Sequence, residues 1–130
     1  EHGFHGAVPA CDEAIVVTTP SASAIRDADK VISLLASYRL KDVSLVVNRV
    51  RSDMIARGEM LSASEISSLL HLAPIGVIPD DDMITLYQQL GTIPQHAISN
   101  RAYDVLAKNV AQNSKVFVDI APKRRLRWFR

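Results

Sequence analysis

Ala14-Ile15-Val16-Val17-Thr18-Thr19-Pro20 is the stretch on which the fold turns. Its first six residues are β-branched or small and do not alternate with charged ones, as in a strand covered on both faces. Pro20 then suits the first turn of a helix, where its missing N–H costs nothing. From Ser21 to Tyr38 the apolar residues Ala24, Ile25, Ala28, Val31, Ile32 and Leu35 recur at helical spacing. Two further short apolar runs, Ser44-Leu45-Val46-Val47-Asn48 and Ile75-Gly76-Val77-Ile78, read as strands, the second closed by Pro79. Between them the sequence predicts a loop from Arg49 to Leu61. Ser62 and Glu65 then form a capping box that opens a short helix to about His71. Asp80-Asp81-Asp82 caps another helix to about Leu90. Gly91, Pro94 and Ser99 mark a loop, and Asn100 to Asn113 form the last helix. Strands alternating with helices predict an α/β fold: a parallel sheet with flanking helices, joined by right-handed crossovers.

Composition narrows the function classes. The chain has 130 residues, 48% of them hydrophobic and 22% charged, and no apolar run approaches the ~18–20 residues that span a bilayer. One cysteine, Cys11, has no internal disulfide partner and fits a reducing cytosol. His2, His5, His71 and His96 show no metal-ligand spacing. Met54, Met60 and Met83 share no helical face and read as packing residues. The net charge is +1, yet Lys123, Arg124, Arg125, Arg127 and Arg130 place five of the fifteen basic residues in the last eight positions. A mildly acidic body with a basic tip argues against specific nucleic-acid binding and for a local anionic contact. The five glycines include no phosphate-cradling spacing, and no nucleophile–base constellation stands out.

The order of motifs goes further. Asp12-Glu13-Ala14-Ile15-Val16-Val17-Thr18-Thr19-Pro20, Ala24-Ile25-Arg26-Asp27-Ala28-Asp29-Lys30, Val47-Asn48-Arg49-Val50-Arg51, Arg57-Gly58-Glu59-Met60-Leu61-Ser62 and Gly76-Val77-Ile78-Pro79-Asp80-Asp81 succeed one another. Together they closely resemble the carboxy-terminal half of the MinD family of septum-site-determining ATPases, over roughly residues 3–120. The Arg57–Ser62 stretch is the most specific part. The resemblance implies a deviant Walker ATPase of the P-loop class, with ATP-driven homodimerisation and peripheral association with the inner face of the cell membrane from the cytoplasm. ATP and magnesium are the implied cofactors, with the phosphate loop and magnesium ligands in the amino-terminal half. The chain by itself is therefore expected to lack ATPase activity. Lacking a neighbour for Ala14–Thr19, it is also expected to carry an unpaired apolar sheet edge.

The resemblance also implies site residues. Asn48 would hydrogen-bond the adenine edge and Arg49 would lie along the base; the plainer reading is a strand-end asparagine satisfying a turn beside a solvated arginine. The backbone of Pro79, Asp80 and Asp81 would frame the adenine, while either aspartate can equally cap a helix. Asp27 and Asp29 would dock the division inhibitor and the topological regulator of the Min system, or simply form a solvated helix face. Residues 1–122 are expected to form the ATPase half-domain. Lys123, Arg124, Arg125, Leu126, Arg127, Trp128, Phe129 and Arg130 would form an amphipathic tip for an anionic membrane surface, or a plain basic tail. The competing functional readings are a non-catalytic membrane-associated adaptor built from this half, and a chromosome-partition or flagellar-number relative.

Overall fold

The computed structural model describes residues 2–92 and 97–120. In chain order these form α1 (His2–Ala7), a 3₁₀ turn (Val8–Ala10), β1 (Glu13–Thr18), α2 (Ala22–Leu35), β2 (Asp42–Val50), α3 (Ser52–Ala56), α4 (Ala63–Leu70), β3 (Pro74–Pro79), α5 (Asp82–Gln89) and α6 (Ile98–Gln112). The strands lie in the order β1-β2-β3, and both pairings are parallel. The expected α/β architecture is present.

Each face of the sheet has its own core. On one side Val16, Leu45, Val47 and Val50 pack with Ala28 and Leu35 of α2 and Ile66 and Leu70 of α4. On the other, Val46 and Ile78 meet Ala102 of α6, with Leu106 partly buried beside them. Gly76 lets α6 come this close, because a Cβ there would sit 2.7 Å from Leu106 Cδ1. Helix α6 covers β2 and β3 but leaves β1 bare on its face: Ile15 is 46% and Val17 61% exposed. The expectation that Ala14–Thr19 is covered on both faces therefore fails among the described residues. Burial alternates along β1, while the expected apolar edge is there.

Several local expectations need correction. Pro20 precedes the helix instead of opening it, because Ser21 is the N-cap and its Oγ accepts the Ala24 N–H at 3.3 Å. Ser99 lies inside α6, not in a loop. The Arg49–Leu61 loop contains the one-turn helix α3, and β2 runs on to Val50. Met83 is 43% exposed and is no packing residue. The capping box stands as read: Glu65 N–H donates to Ser62 Oγ at 3.3 Å, and Ser62 N–H donates to Glu65 Oε2 at 2.7 Å. Those Ser62 bonds, the hydroxyl's first, hold the Glu65 carboxyl below its ordinary range. The helix stops at His71, which adopts a left-handed φ of 53°.

Candidate base-binding site

Asn48 and Arg49 do not end β2; they form a bulge within it. Pairing to β3 is regular at Val47↔Val77 and resumes at Val50↔Pro79 with a register shift between them. Arg49 takes the left-handed conformation, φ 58°, that lets the extra residue loop out, and Asn48 Oδ1 accepts the Arg49 N–H at 2.9 Å. Past the bulge, the Asp80 N–H donates to the Val50 carbonyl at 2.9 Å, which ties the ends of β2 and β3 together. Arg49 Nε donates to Asp80 Oδ1 at 3.3 Å across the same gap. The arginine side chain is 69% exposed, so the pair is a loose surface bridge.

Asp81 is the aspartate that caps α5. Its Oδ1 accepts the Met83 N–H at 3.0 Å, while Oδ2 accepts from both the Ser99 N–H (3.3 Å) and the Ser99 hydroxyl (2.8 Å). The result is a cavity of about 290 Å³ at the carboxyl ends of β2 and β3. Asn48, Arg49, Ile78, Pro79, Asp80 and Asp81 line one side, and Ile84, Thr85, Gln88, Ser99 and Tyr103 line the other. All five residues expected around the base converge here. The α5 and α6 lining was not anticipated; nothing in the local pattern of Thr85, Gln88, Ser99 or Tyr103 singles them out. A larger cavity, about 520 Å³, opens at the opposite end of the sheet against Glu13, Asp42 and the end of α6, away from every expected site residue. Among the described residues no three His, Cys, Asp or Glu side chains are grouped so as to hold a metal ion.

Asp27 and Asp29 lie apart from this cavity, exposed on α2, and Lys30 Nζ sits 3.1 Å from Asp27 Oδ1. The Arg57–Ser62 stretch forms a tight charged loop. Gly58 supplies a φ of 72°, Arg57 bridges Asp53 at 3.3 Å and Glu59 at 2.9 Å, and Met60 Sδ accepts the Arg51 N–H at 3.3 Å. Bonding to Glu59 and then to Asp53 raises the Arg57 pKa, and bonding to Asp53 raises that of Arg51. The tip from Lys123 to Arg130 lies outside the described residues.

Parallel strands with helices on both faces define an α/β protein, and the cavity beyond the carboxyl ends of β2 and β3 lies where open α/β sheets bind ligands. No family model matches the chain. It is 45% identical to the septum site-determining protein MinD of Synechocystis over 91 residues, which are 70% of this chain and 34% of that protein. Its structure superposes on the MinD cell division protein of Aquifex aeolicus with a TM-score of 0.82 at 32% identity, covering 91% of this chain and 51% of the other. The Aquifex MinC:MinD complex gives 0.77 at 33% identity, covering 88% and 48%. A Pyrococcus horikoshii MinD complexed with Mg-ADP shares the fold, with a TM-score of 0.63, 24% identity and coverage of 81% and 45%. Over the residues it spans, the chain belongs to the MinD family of septum site-determining proteins. It covers about a third of the Synechocystis protein and half of the Aquifex chain.

Proposed function

We propose that this chain supplies the base-binding wall of an ATP site in an ATPase that places the division site. The observation that carries the reading is the convergence of Asn48, Arg49 and the Pro79–Asp81 backbone on one cavity at the carboxyl edge of a parallel sheet. Asn48 commits its carbonyl oxygen to the Arg49 N–H, so its NH₂ is the group left to donate to a ring nitrogen. The backbone after Pro79 offers the flat edge against which a purine can lie. Phosphate and magnesium would be held by residues outside this chain, since no phosphate loop occurs in it. ATP would close a homodimer, the dimer would hold an anionic membrane through the tip at 123–130, and hydrolysis would release it to the cytoplasm. Among the described residues no helix is long and apolar enough to cross a membrane. Asp27 and Asp29, exposed on one helix, would meet the division inhibitor and the topological regulator. The Aquifex relative's complex with MinC supports a protein partner of this kind.

The test is base-selective binding. In the complete protein, Asn48→Ala should weaken ATP by roughly 1–3 kcal/mol, about five- to 150-fold, and leave tripolyphosphate unchanged in calorimetry. Equal losses for the two ligands would show that Asn48 does not read the base.

A further inference from the structure

Helix α6 has no capping side chain of its own. Its N-cap is Ala97, which offers none, yet the N–H at the second helical position, Ser99, is satisfied by Asp81 from eighteen residues earlier. Asp81 thus caps two helices with one carboxylate: Oδ1 takes the second-position N–H of α5, and Oδ2 takes that of α6. The Ser99 hydroxyl adds a third bond, 2.8 Å long, from a residue that is 1% exposed. Capping α5 alone needs only the first of these. The other two join the end of β3 to the start of α6, and the carboxylate acceptor makes them charge-assisted.

We propose that Asp81, clasped by Ser99, is a positioning residue that sets the width of the base slot between the Pro79–Asp80 backbone and the α6 wall. The proposal rests on the reading of the cavity as base-binding. Tyr103 lies one turn beyond Ser99 on α6 and lines the same cavity, so its distance from Pro79 follows the clasp. Slot width matters because dispersion is steep. Opening a contact by 0.5–1 Å forfeits about a quarter to a half of its attraction over every atom of a planar ring. A slot loosened in this way loses affinity for the base and leaves the phosphates untouched.

The experiment uses the complete protein and two variants. Ser99→Ala removes the hydroxyl bond. Asp81→Asn keeps the shape and the helix cap, since asparagine caps well, but sets an NH₂ group against the two Ser99 donors. Dissociation constants for ATP, GTP and tripolyphosphate are measured by calorimetry, alongside the ligand-free unfolding temperature. The expected result for Asp81→Asn is about a tenfold loss for ATP, tripolyphosphate within twofold, and a narrowed ATP-over-GTP preference. Ser99→Ala should shift in the same direction. A lowered unfolding temperature with an unchanged ratio of ATP to tripolyphosphate affinity means that the clasp only holds the fold, and overturns the proposal. Asn48→Ala in the same assay separates the two readings. If it is base-selective while Asp81→Asn is not, the positioning role alone falls. If neither is base-selective, the base-binding cavity falls and the clasp with it.

Discussion

Arg49 holds a left-handed φ of 58° in the middle of a strand, a conformation that costs a residue with a Cβ roughly 1–2 kcal/mol. The packing beyond it offsets this. Leu45 and Val47 face the α2–α4 core, and strict alternation would turn Val50 to the other side of the sheet. The extra residue turns it back, and Val50 is 2% exposed in that core. One strained backbone therefore both secures Val50 and presents Asn48 and Arg49 at the cavity. Asp53 shows the same economy in charge. Its bond to Arg51, followed by the fields of Arg51 and Arg57, holds its carboxyl near 2, down from 3.8. A depressed carboxylate contributes stability that is present above the unfolded value and is lost as pH falls through the folded one. Asp53→Asn should therefore lower the urea midpoint at pH 7, and the gap to the parent protein should close between about pH 4 and pH 2. Because Asp53 is 42% exposed, 1 M salt should narrow the gap too. A gap that persists unchanged at pH 2.5 would refute the ion pair's contribution.

At the level of elements, what could be read from sequence was what is local. The α4 capping box involves residues three apart, and its hydrogen bonds are those its spelling implies. The face of α2 was legible because Ala28 and Leu35 keep helical period with Ile25, Val31 and Ile32, all packed against the core. Helix α3 was missed because its cap residue, Arg51, makes no capping bond and its five residues are too few to show a period. Asn109 was missed for the opposite reason. Ser99, Ala102, Leu106 and Asn109 fall on one stripe of α6, and a polar residue in that stripe is the signal that a buried network requires it. Its Nδ2 donates to the carbonyls of Ile75 (2.8 Å) and Val116 (2.6 Å), while Oδ1 accepts from Val116 N–H and the Ser114 hydroxyl. At 2% exposure it pins the segment after α6 to β3. Asn109→Asp keeps the shape but removes both donors. It should cost about 2–3 kcal/mol in urea unfolding, since two buried carbonyls lose their partner; a cost below 0.5 kcal/mol would show that water replaces the amide.

At the scale of the whole molecule, Ile15 and Val17 leave an apolar surface on β1, and five of the fifteen basic residues fall in the last eight positions of the sequence. In the membrane-anchoring tip proposed above, Leu126 and Phe129, three apart, would share a helical face, Trp128 would suit the headgroup border, and each of the five basic residues would add ~1 kcal/mol near anionic lipid. Eight residues are too few to be helical in water, so one tip should bind weakly and two on a closed dimer should bind by avidity. Replacing Trp128 and Phe129 with alanine in the complete protein should abolish ATP-dependent sedimentation with anionic vesicles and spare ATP binding. Unchanged sedimentation would place the anchor elsewhere.

The resemblance to the MinD family pointed to the five residues that meet at the carboxyl edge. The sequence pattern by itself determined the parallel α/β class, the order of the three strands with α2, α4, α5 and α6, and the capping box of α4. These follow from periodicity and from bonds made within a few residues, which any short window contains. Only the tertiary structure decided the bulge at Arg49, the bare face of β1 and the wall formed by Thr85, Gln88, Ser99 and Tyr103. It also decided the two buried anchors, Asp81 to Ser99 and Asn109 to Ile75. Each of these depends on which surfaces meet across tens of residues, and a hydrogen bond between positions 81 and 99 or 75 and 109 leaves no period in the chain between them.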